Sequence, residues 1–213
     1  MMNLCCGFLA IMTADYYKSS IFLLFSLLFD VLDGFAARKL NAQSELGREL
    51  DSLADLTSFG VAPAYLYYLL SPINGAWAMI PPAVLVVASA VRLAKFNLLP
   101  PSPYFSGLPT PASAMFFIGI FLAIKYESNL VTNMIQNPII YFILPIFFAT
   151  MMVSTLRMFS LKGLNKDMRQ NKVQIVLLIF IIILLLIDNK IAAPITILLY
   201  IILSLVQSIS VKA

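Results

Sequence analysis

The sequence predicts an all-α membrane protein, a polytopic bundle of about eight helices. Of its 213 residues 61% are hydrophobic and only 11% are charged, and the mean hydropathy is +0.94. A soluble domain is typically about half apolar and about a quarter charged. This chain has too little polar surface to cover a globule in water, so lipid must form its outer solvent.

The helix boundaries follow from long apolar runs. The hydrocarbon core of a bilayer is about 30 Å thick, so a spanning helix needs roughly 20 mostly apolar residues. The runs lack the two-residue alternation of a membrane β-barrel. We expect helices at about 1–14, 17–44, 46–71, 75–97, 107–126, 135–157, 171–188 and 191–209. No linker or charge block divides them, so 1–213 is expected to form one membrane-embedded catalytic domain.

The basic residues predict the orientation in the membrane. With the N-terminus in the cytoplasm, eleven of the fourteen Lys and Arg residues fall on the cytoplasmic side, and three fall opposite, at Lys18, Lys125 and Lys190. The net charge of +4 then lies where anionic headgroups and phosphates are found, and it requires no nucleic-acid partner. We expect an integral protein of the cell membrane with both termini in the cytoplasm.

The residue types that could hold a metal are restricted. The two cysteines, Cys5 and Cys6, are adjacent, and the sequence contains no histidine. A disulfide framework and the usual zinc sites are therefore excluded. Any metal must be held by oxygen, which points to a hard cation such as magnesium, manganese or calcium.

Four aspartates on the second and third predicted helices form the candidate site. Charged residues inside membrane helices are costly and mark function by default. Asp30 and Asp33 share one helical face, and Asp51 and Asp55 share another. A short connection at 41–45 makes the two helices antiparallel neighbours, so both faces can meet near the cytoplasmic ends. Divalent cations would relieve the repulsion among the four carboxylates, as in many phosphoryl-transfer sites.

Small residues alternate with these acids at Gly34, Ala37 and Gly47. They would let a flat or phosphorylated ligand approach the backbone, although small residues also let membrane helices pack closely. A single aspartate near a helix end is usually a solvated cap or an ion-pair partner of a neighbouring basic residue. Four acids at matched helical spacing favour a binding site instead.

Together these residues form the signature D-x2-D-G-x2-A-R-x8-G-x3-D-x3-D, from Asp30 to Asp55. It resembles the signature of the CDP-alcohol phosphotransferase family at every fixed position. The resemblance implies transfer of a substituted phosphate from a CDP-linked donor to an alcohol, with release of CMP. It implies one or two magnesium or manganese ions on Asp30, Asp33, Asp51 and Asp55, with Asp55 also the catalytic base. It places the CDP group near Gly34, Ala37, Arg38 and Gly47.

Over roughly its first half, the chain is also similar to the branch of the family whose acceptor is serine. The similar segments are NLCCGFLAIM at 3–12, DSLADLTSFGVAPA at 51–64, VRLAKFN at 91–97 and FSGLPTPASA at 105–114. The last two of these are the segments that resemble this branch in particular. The resemblance implies CDP-diacylglycerol as the donor and L-serine as the acceptor. Attack of the serine hydroxyl on the β-phosphorus would release CMP, while the acyl chains stay among the membrane lipids.

A serine acceptor carries a carboxylate, which a guanidinium binds through a bidentate fork. We therefore expect serine contacts from the group Arg92, Lys95, Asn97 and Ser106. The alternative is that the two basic residues are only membrane anchors and that the two polar ones only satisfy loop backbone.

Two alternatives stay open. Within the family, the acceptor could be glycerol 3-phosphate or an inositol phosphate, although such acceptors call for a denser basic pocket. From another class, the four acids could be the transit site of a divalent-cation transporter, which would have no need of Gly34, Ala37 and Gly47. A homodimer is one candidate assembly.

The orientation is testable with cysteines introduced as Lys212→Cys and Lys190→Cys, in a chain whose Cys5 and Cys6 are replaced by serine. We expect a membrane-impermeant thiol reagent to label the two positions from opposite sides. Equal accessibility at both would contradict the eight-helix topology.

Overall fold

The computed structural model of the protein describes residues 1–40, 44–98, 105–126, 128–158 and 191–210, with backbone alone at 38, 105, 157 and 207–210. These residues form an all-α bundle, as the sequence predicted. The α-helices are α1 (Met2–Thr13), α2 (Tyr16–Lys39), α3 (Glu45–Asp55), α4 (Ala62–Leu69), α5 (Ile80–Leu98), α6 (Thr110–Lys125), α7 (Asn129–Ile135), α8 (Pro138–Val153) and α9 (Ala192–Ser210). A two-residue bridge pairs β1 (Phe105–Ser106) antiparallel with β2 (Arg157–Met158).

Two helical stretches are long and apolar enough to cross a membrane on their own. They are Tyr16–Ala37, with a mean hydropathy of 1.9, and Ala76–Leu98, with 1.7. A third span results if α6 and α7 are halves of one broken span, and α1, α8 and most of α9 are shorter apolar helices. By length alone, the described residues thus supply fewer spans than the predicted helices, and the predicted helix 171–188 lies outside them.

Local signals explain where several helices depart from the predicted boundaries. Ser44 begins α3, because its Oγ accepts a hydrogen bond of 3.0 Å from the backbone N–H of Gly47. Similarly, Asn137 begins α8 by accepting a bond of 2.9 Å from the N–H of Ile139. Pro138 fits the first turn of that helix, where no amide hydrogen is needed. The region 135–157, predicted as one helix, is therefore divided between the end of α7 and α8.

The first two helices form an antiparallel hairpin. The hydroxyl of Ser19 donates to the carbonyl of Ala10 at 2.6 Å, and that of Ser26 donates to the carbonyl of Asn3 at 3.1 Å. Because α1 has 12 residues and α2 has 24, the second half of α2 extends past the start of α1. Asp30 lies in this extension.

The third predicted helix contains a π-helical segment, Leu56–Val61, between α3 and α4. The N–H of Ala62 donates to the carbonyl of Thr57, five residues earlier. Pro63 follows in the first turn of α4 and has no amide hydrogen to donate four residues back, so the α-helical pattern cannot continue unchanged through this region. The wider turn lies directly after Asp55.

Aromatic side chains form the core among α4, α6 and α8. The rings of Tyr67 and Tyr141 stack with centroids 4.9 Å apart, and Phe117 packs edge-on against Tyr67 at 5.2 Å. The hydroxyl of Tyr67 donates to the backbone of Tyr141, and that of Tyr141 donates to Ala78. Both buried phenols therefore have partners, as burial requires.

One face of α2 is apolar and exposed. Its side chains are Leu24, Phe25, Leu28, Val31, Leu32 and Phe35, each at least 43% exposed. Such a surface is stable against lipid chains and unfavourable in water, so this face marks α2 as lipid-facing.

Candidate active site

Three of the four signature acids converge. Asp30 comes from α2, and Asp51 and Asp55 come from α3. One carboxylate oxygen from each lies within 4.8 Å of the others. Asp30 and Asp55 also interact directly through their side chains. The helical spacing brings the acids to facing surfaces, and the α2–α3 connection lets those surfaces meet.

The burial of the three carboxylates differs. Asp51 is exposed and Asp30 is partly buried, whereas Asp55 is only 9% exposed. Asp55 accepts a hydrogen bond of 2.9 Å at its Oδ1 from Nδ2 of Asn3, on α1. The innermost acid thus has a neutral donor that stabilises its ionised form.

The donor set fits a divalent metal. Three carboxylates at this separation repel one another when ionised, and a cation among them removes that cost. Carboxylate oxygens are the ligands preferred by magnesium and manganese. Asp30, Asp51 and Asp55 are therefore the residues that would hold an ion.

Asp33 stands beside this cluster and lines a cavity of about 790 Å³. One of its oxygens lies 3.6 Å from the amino nitrogen of Met1. Asp51 lines the same cavity, so the acids and the open volume are continuous. A volume of this size is within the range of small-molecule sites.

The cavity wall contains three of the four residues predicted to hold CDP. Gly34 and Ala37 come from α2, and Gly47 comes from α3. Since these residues carry no side chain beyond a methyl group, a ligand can reach the helix backbone there. Arg38 belongs to α2, but its side chain lies outside the described part of the chain.

The residues predicted to contact serine are less concentrated. Arg92 is 7% exposed, its Nε donates to the carbonyl of Leu108, and its Nη2 donates to that of Gly107 at 3.5 Å. Arg92 therefore anchors the backbone immediately after Ser106, which is exposed in β1. Lys95 is exposed on α5.

Asn97 lies closer to the acids, because its side chain joins α5 to α3. Its Nδ2 donates to Oγ of Ser52 at 2.9 Å and to Oε1 of Glu49 at 3.3 Å. Its neighbour Phe96 lines the cavity. Of the four predicted serine contacts, Asn97 has the most direct geometric link to the signature residues.

Several residues at the site were not predicted. Glu45, Arg48 and Phe96 line the cavity, and Asn3 contacts Asp55. The signal for Asn3 was present in the sequence, as an amide within a mostly apolar helix. Its partner could not be inferred, because periodicity along one helix does not give the register between helices.

The model of the CDP-alcohol phosphatidyltransferase family matches residues 1–144. This range contains all four signature aspartates and the whole cavity wall, and it ends within α8.

Curated relatives carry the name CDP-diacylglycerol–serine O-phosphatidyltransferase. The one from Methanocaldococcus jannaschii is 37% identical over 157 residues, covering 74% of this chain and 69% of the relative. The one from Bacillus subtilis is 41% identical over 121 residues, covering 53% and 67%. The one from Saccharomyces cerevisiae is 36% identical over 118 residues, covering 51% and 42%.

If the acid cluster holds a metal, Asp51→Asn is expected to weaken binding of manganese by about tenfold or more, because a carboxylate of the cluster is replaced by a neutral amide. Titration of the purified protein with Mn²⁺, followed by electron paramagnetic resonance, measures this. Asp15→Asn is the matched control, since Asp15 is an exposed acid that accepts a hydrogen bond from the N–H of Lys18. Unchanged affinity in Asp51→Asn would show that the acids serve another purpose.

Proposed function

Because the chain belongs to the CDP-alcohol phosphatidyltransferase family, we propose that it is a CDP-diacylglycerol–serine O-phosphatidyltransferase. It transfers the phosphatidyl group of CDP-diacylglycerol to L-serine and releases CMP. The observation that carries the proposal is the convergence of Asp30, Asp51 and Asp55 beside a cavity lined by the small residues of the signature. The relatives from an archaeon, a bacterium and a yeast support serine as the acceptor.

The side chains of the site have distinct roles in the proposed reaction. Gly34, Ala37 and Gly47 admit the CDP group to the helix backbone, and Arg38 assists them. When bound, magnesium or manganese neutralises the diphosphate and stabilises the departing CMP. Asp30, Asp33 and Asp51, with Asp55, are the proposed ligands.

The proposed chemical step is one displacement at phosphorus. The serine oxygen forms a bond to the β-phosphorus, and the bond from that phosphorus to the oxygen bridging to CMP breaks. Asp55 accepts the proton of the serine hydroxyl, as a carboxylate within hydrogen-bond reach can. The low exposure of Asp55 supports this role, because water competes poorly for its oxygens.

The acceptor site is proposed next to these acids. Asn97 contacts α3 through its hydrogen bonds to Ser52 and Glu49. Arg92 fixes the backbone at Gly107 and Leu108, which would place Ser106 and the start of α6. In this arrangement Arg92 supports the serine pocket largely through the loop, and Lys95 contributes positive charge near the membrane surface.

The proposed location is the cell membrane, with the site facing the cytoplasm. Eleven of fourteen basic residues fall on that side of the predicted topology. A lipid donor favours the same placement, since its acyl chains remain in the bilayer while its headgroup reaches the charged ends of the helices.

The decisive assay supplies purified protein with CDP-diacylglycerol, magnesium or manganese, and one alcohol at a time. We expect CMP release with L-serine, formation of phosphatidylserine, and loss of both on addition of a chelator. Release with glycerol 3-phosphate or an inositol phosphate in place of serine would assign a different acceptor. Transport of Mn²⁺ into vesicles without CMP release would favour the transporter.

In the same assay, Asp55→Asn is expected to lower kcat on the order of 10²- to 10⁴-fold, because the acceptor of the proton is lost. The KM for CDP-diacylglycerol should change little. Asp15→Asn serves again as the control and should retain the unmodified rate. A kcat near that of the unmodified enzyme in Asp55→Asn would assign the base elsewhere.

The serine pocket predicts a different kinetic pattern. Asn97→Leu should raise the KM for serine several-fold, roughly the effect of losing one or two hydrogen bonds, with the KM for CDP-diacylglycerol nearly constant.

Arg92→Lys should also raise the KM for serine, and it should lower the melting temperature as well. The reason is that a point charge cannot bind the carbonyls of Gly107 and Leu108 in the same geometry. Asn74→Ala, in an exposed loop, is the control. A constant KM for serine in both variants would remove these residues from the pocket.

A further inference from the structure

A buried polar network surrounds Asn3 on α1. Asn3, Ser26 and Ser58 are each 0% exposed, although they belong to three different helical segments. Nδ2 of Asn3 donates to Oδ1 of Asp55 at 2.9 Å. The hydroxyl of Ser26 donates to Oδ1 of Asn3. The backbone carbonyl of Asn3 accepts a bond of 3.0 Å from the hydroxyl of Ser58, and it lies 3.1 Å from the hydroxyl of Ser26, whose single proton it shares with the side-chain oxygen of Asn3.

These bonds determine which way the amide of Asn3 faces. An ionised carboxylate only accepts hydrogen bonds, so the amide nitrogen is the end directed at Asp55, and the side-chain oxygen faces the hydroxyl of Ser26. A flipped amide would place two oxygens against each other at the carboxylate. Because all the partners are buried, no solvent could compensate for that arrangement.

The backbone is shaped to bring the network together. A Cβ atom added to Gly7 would lie 2.2 Å from Oγ and 2.7 Å from Cα of Ser58, so only glycine lets α1 lie this close to the π-helical segment. That segment begins one residue after Asp55 and carries Ser58. The position of α1 against Ser58 therefore also fixes the position of Asn3 against the acid.

We propose that Asn3 is a positioning residue for the transfer reaction and that it acts through Asp55. By holding Oδ1, Asn3 restricts rotation of the carboxylate and keeps it in place beside Asp30 and Asp51. Ser26 and Ser58 in turn hold Asn3. This inference rests on the proposed function only in taking Asp55 as a group that serves the reaction.

The test separates an action through Asp55 from simple support of the fold. Asn3→Leu keeps the approximate volume of the side chain and removes its donor. We expect kcat to fall on the order of 10- to 100-fold, the effect of losing one hydrogen bond to a charged group. Both KM values should stay within about twofold, because neither substrate binds Asn3. Affinity for Mn²⁺ should fall several-fold, since one ligand is no longer oriented.

The same substitution is then made in the Asp55→Asn chain. If Asn3 acts through Asp55, Asn3→Leu should cause no further loss of rate or of Mn²⁺ affinity there. A loss by the same factor in both backgrounds would show that Asn3 acts independently, and the proposal would be wrong. Unchanged kcat and Mn²⁺ affinity in the single variant would also overturn it.

Two further variants protect the test against a folding failure. Ser26→Ala removes a hydrogen-bond partner of the Asn3 amide and leaves Asn3 in place. It should cause smaller losses of kcat and of Mn²⁺ affinity than Asn3→Leu does. In the Asp55→Asn background it should cause no further loss, and equal losses in both backgrounds would contradict the proposal. Ser19→Ala breaks a buried α1–α2 bond at the other end of the hairpin. It should lower the melting temperature while kcat and Mn²⁺ affinity stay unchanged; if it lowers them as Asn3→Leu does, general loosening of the hairpin explains the effect.

Failure of the proposed function would look different. An unmodified protein that releases no CMP with serine would refute that function. The Mn²⁺ titrations in the two backgrounds would still test whether Asn3 orients Asp55.

Discussion

Asp30, Asp51 and Asp55 come from two helices, and their oxygens lie within 4.8 Å of one another, so folding must bring together groups that repel. This repulsion is the constraint to which the residues around the three acids respond. The polar ends of α2 and α3 form the open side, where ions and water can enter. On the closed side, α1 covers Asp55 and supplies an amide donor. A cation among the three carboxylates would remove this repulsion.

The closed side depends on irregular helix geometry. An uninterrupted α-helix through 45–69 would present its side chains at a constant angular step. The π-helical segment widens one turn directly after Asp55, before Pro63 enters the first turn of α4. Asp55 before this segment and Ser58 within it both bond to Asn3 of α1. Gly7 then permits the close approach of α1.

The acids were predictable because their spacing matches the helical period and because charge within a membrane helix is costly. Gly34, Ala37 and Gly47 followed from the same pattern, since small residues on the acidic face leave space for a ligand. The division of the predicted helix 46–71 was not predictable from its apolar composition. Neither was the environment of Arg92, whose guanidinium binds backbone carbonyls 15 and 16 residues further along the chain. Such contacts depend on register between helices, which periodicity along one helix does not contain.

The exposed apolar face of α2 also affects how the enzyme meets its donor. Val31 and Leu32 on this face stand directly between Asp30 and Asp33 in the sequence. If the donor is a lipid, as proposed, a molecule that diffuses along α2 would reach the acids from within the bilayer. The relevant concentration of such a donor would be its mole fraction in the surrounding bilayer or micelle, so dilution with inert lipid would slow the reaction even at constant bulk concentration. The acceptor would arrive from water, so its effective concentration would be its bulk concentration in solution. The reaction rate would then depend on a mole fraction for the donor and on a bulk concentration for the acceptor.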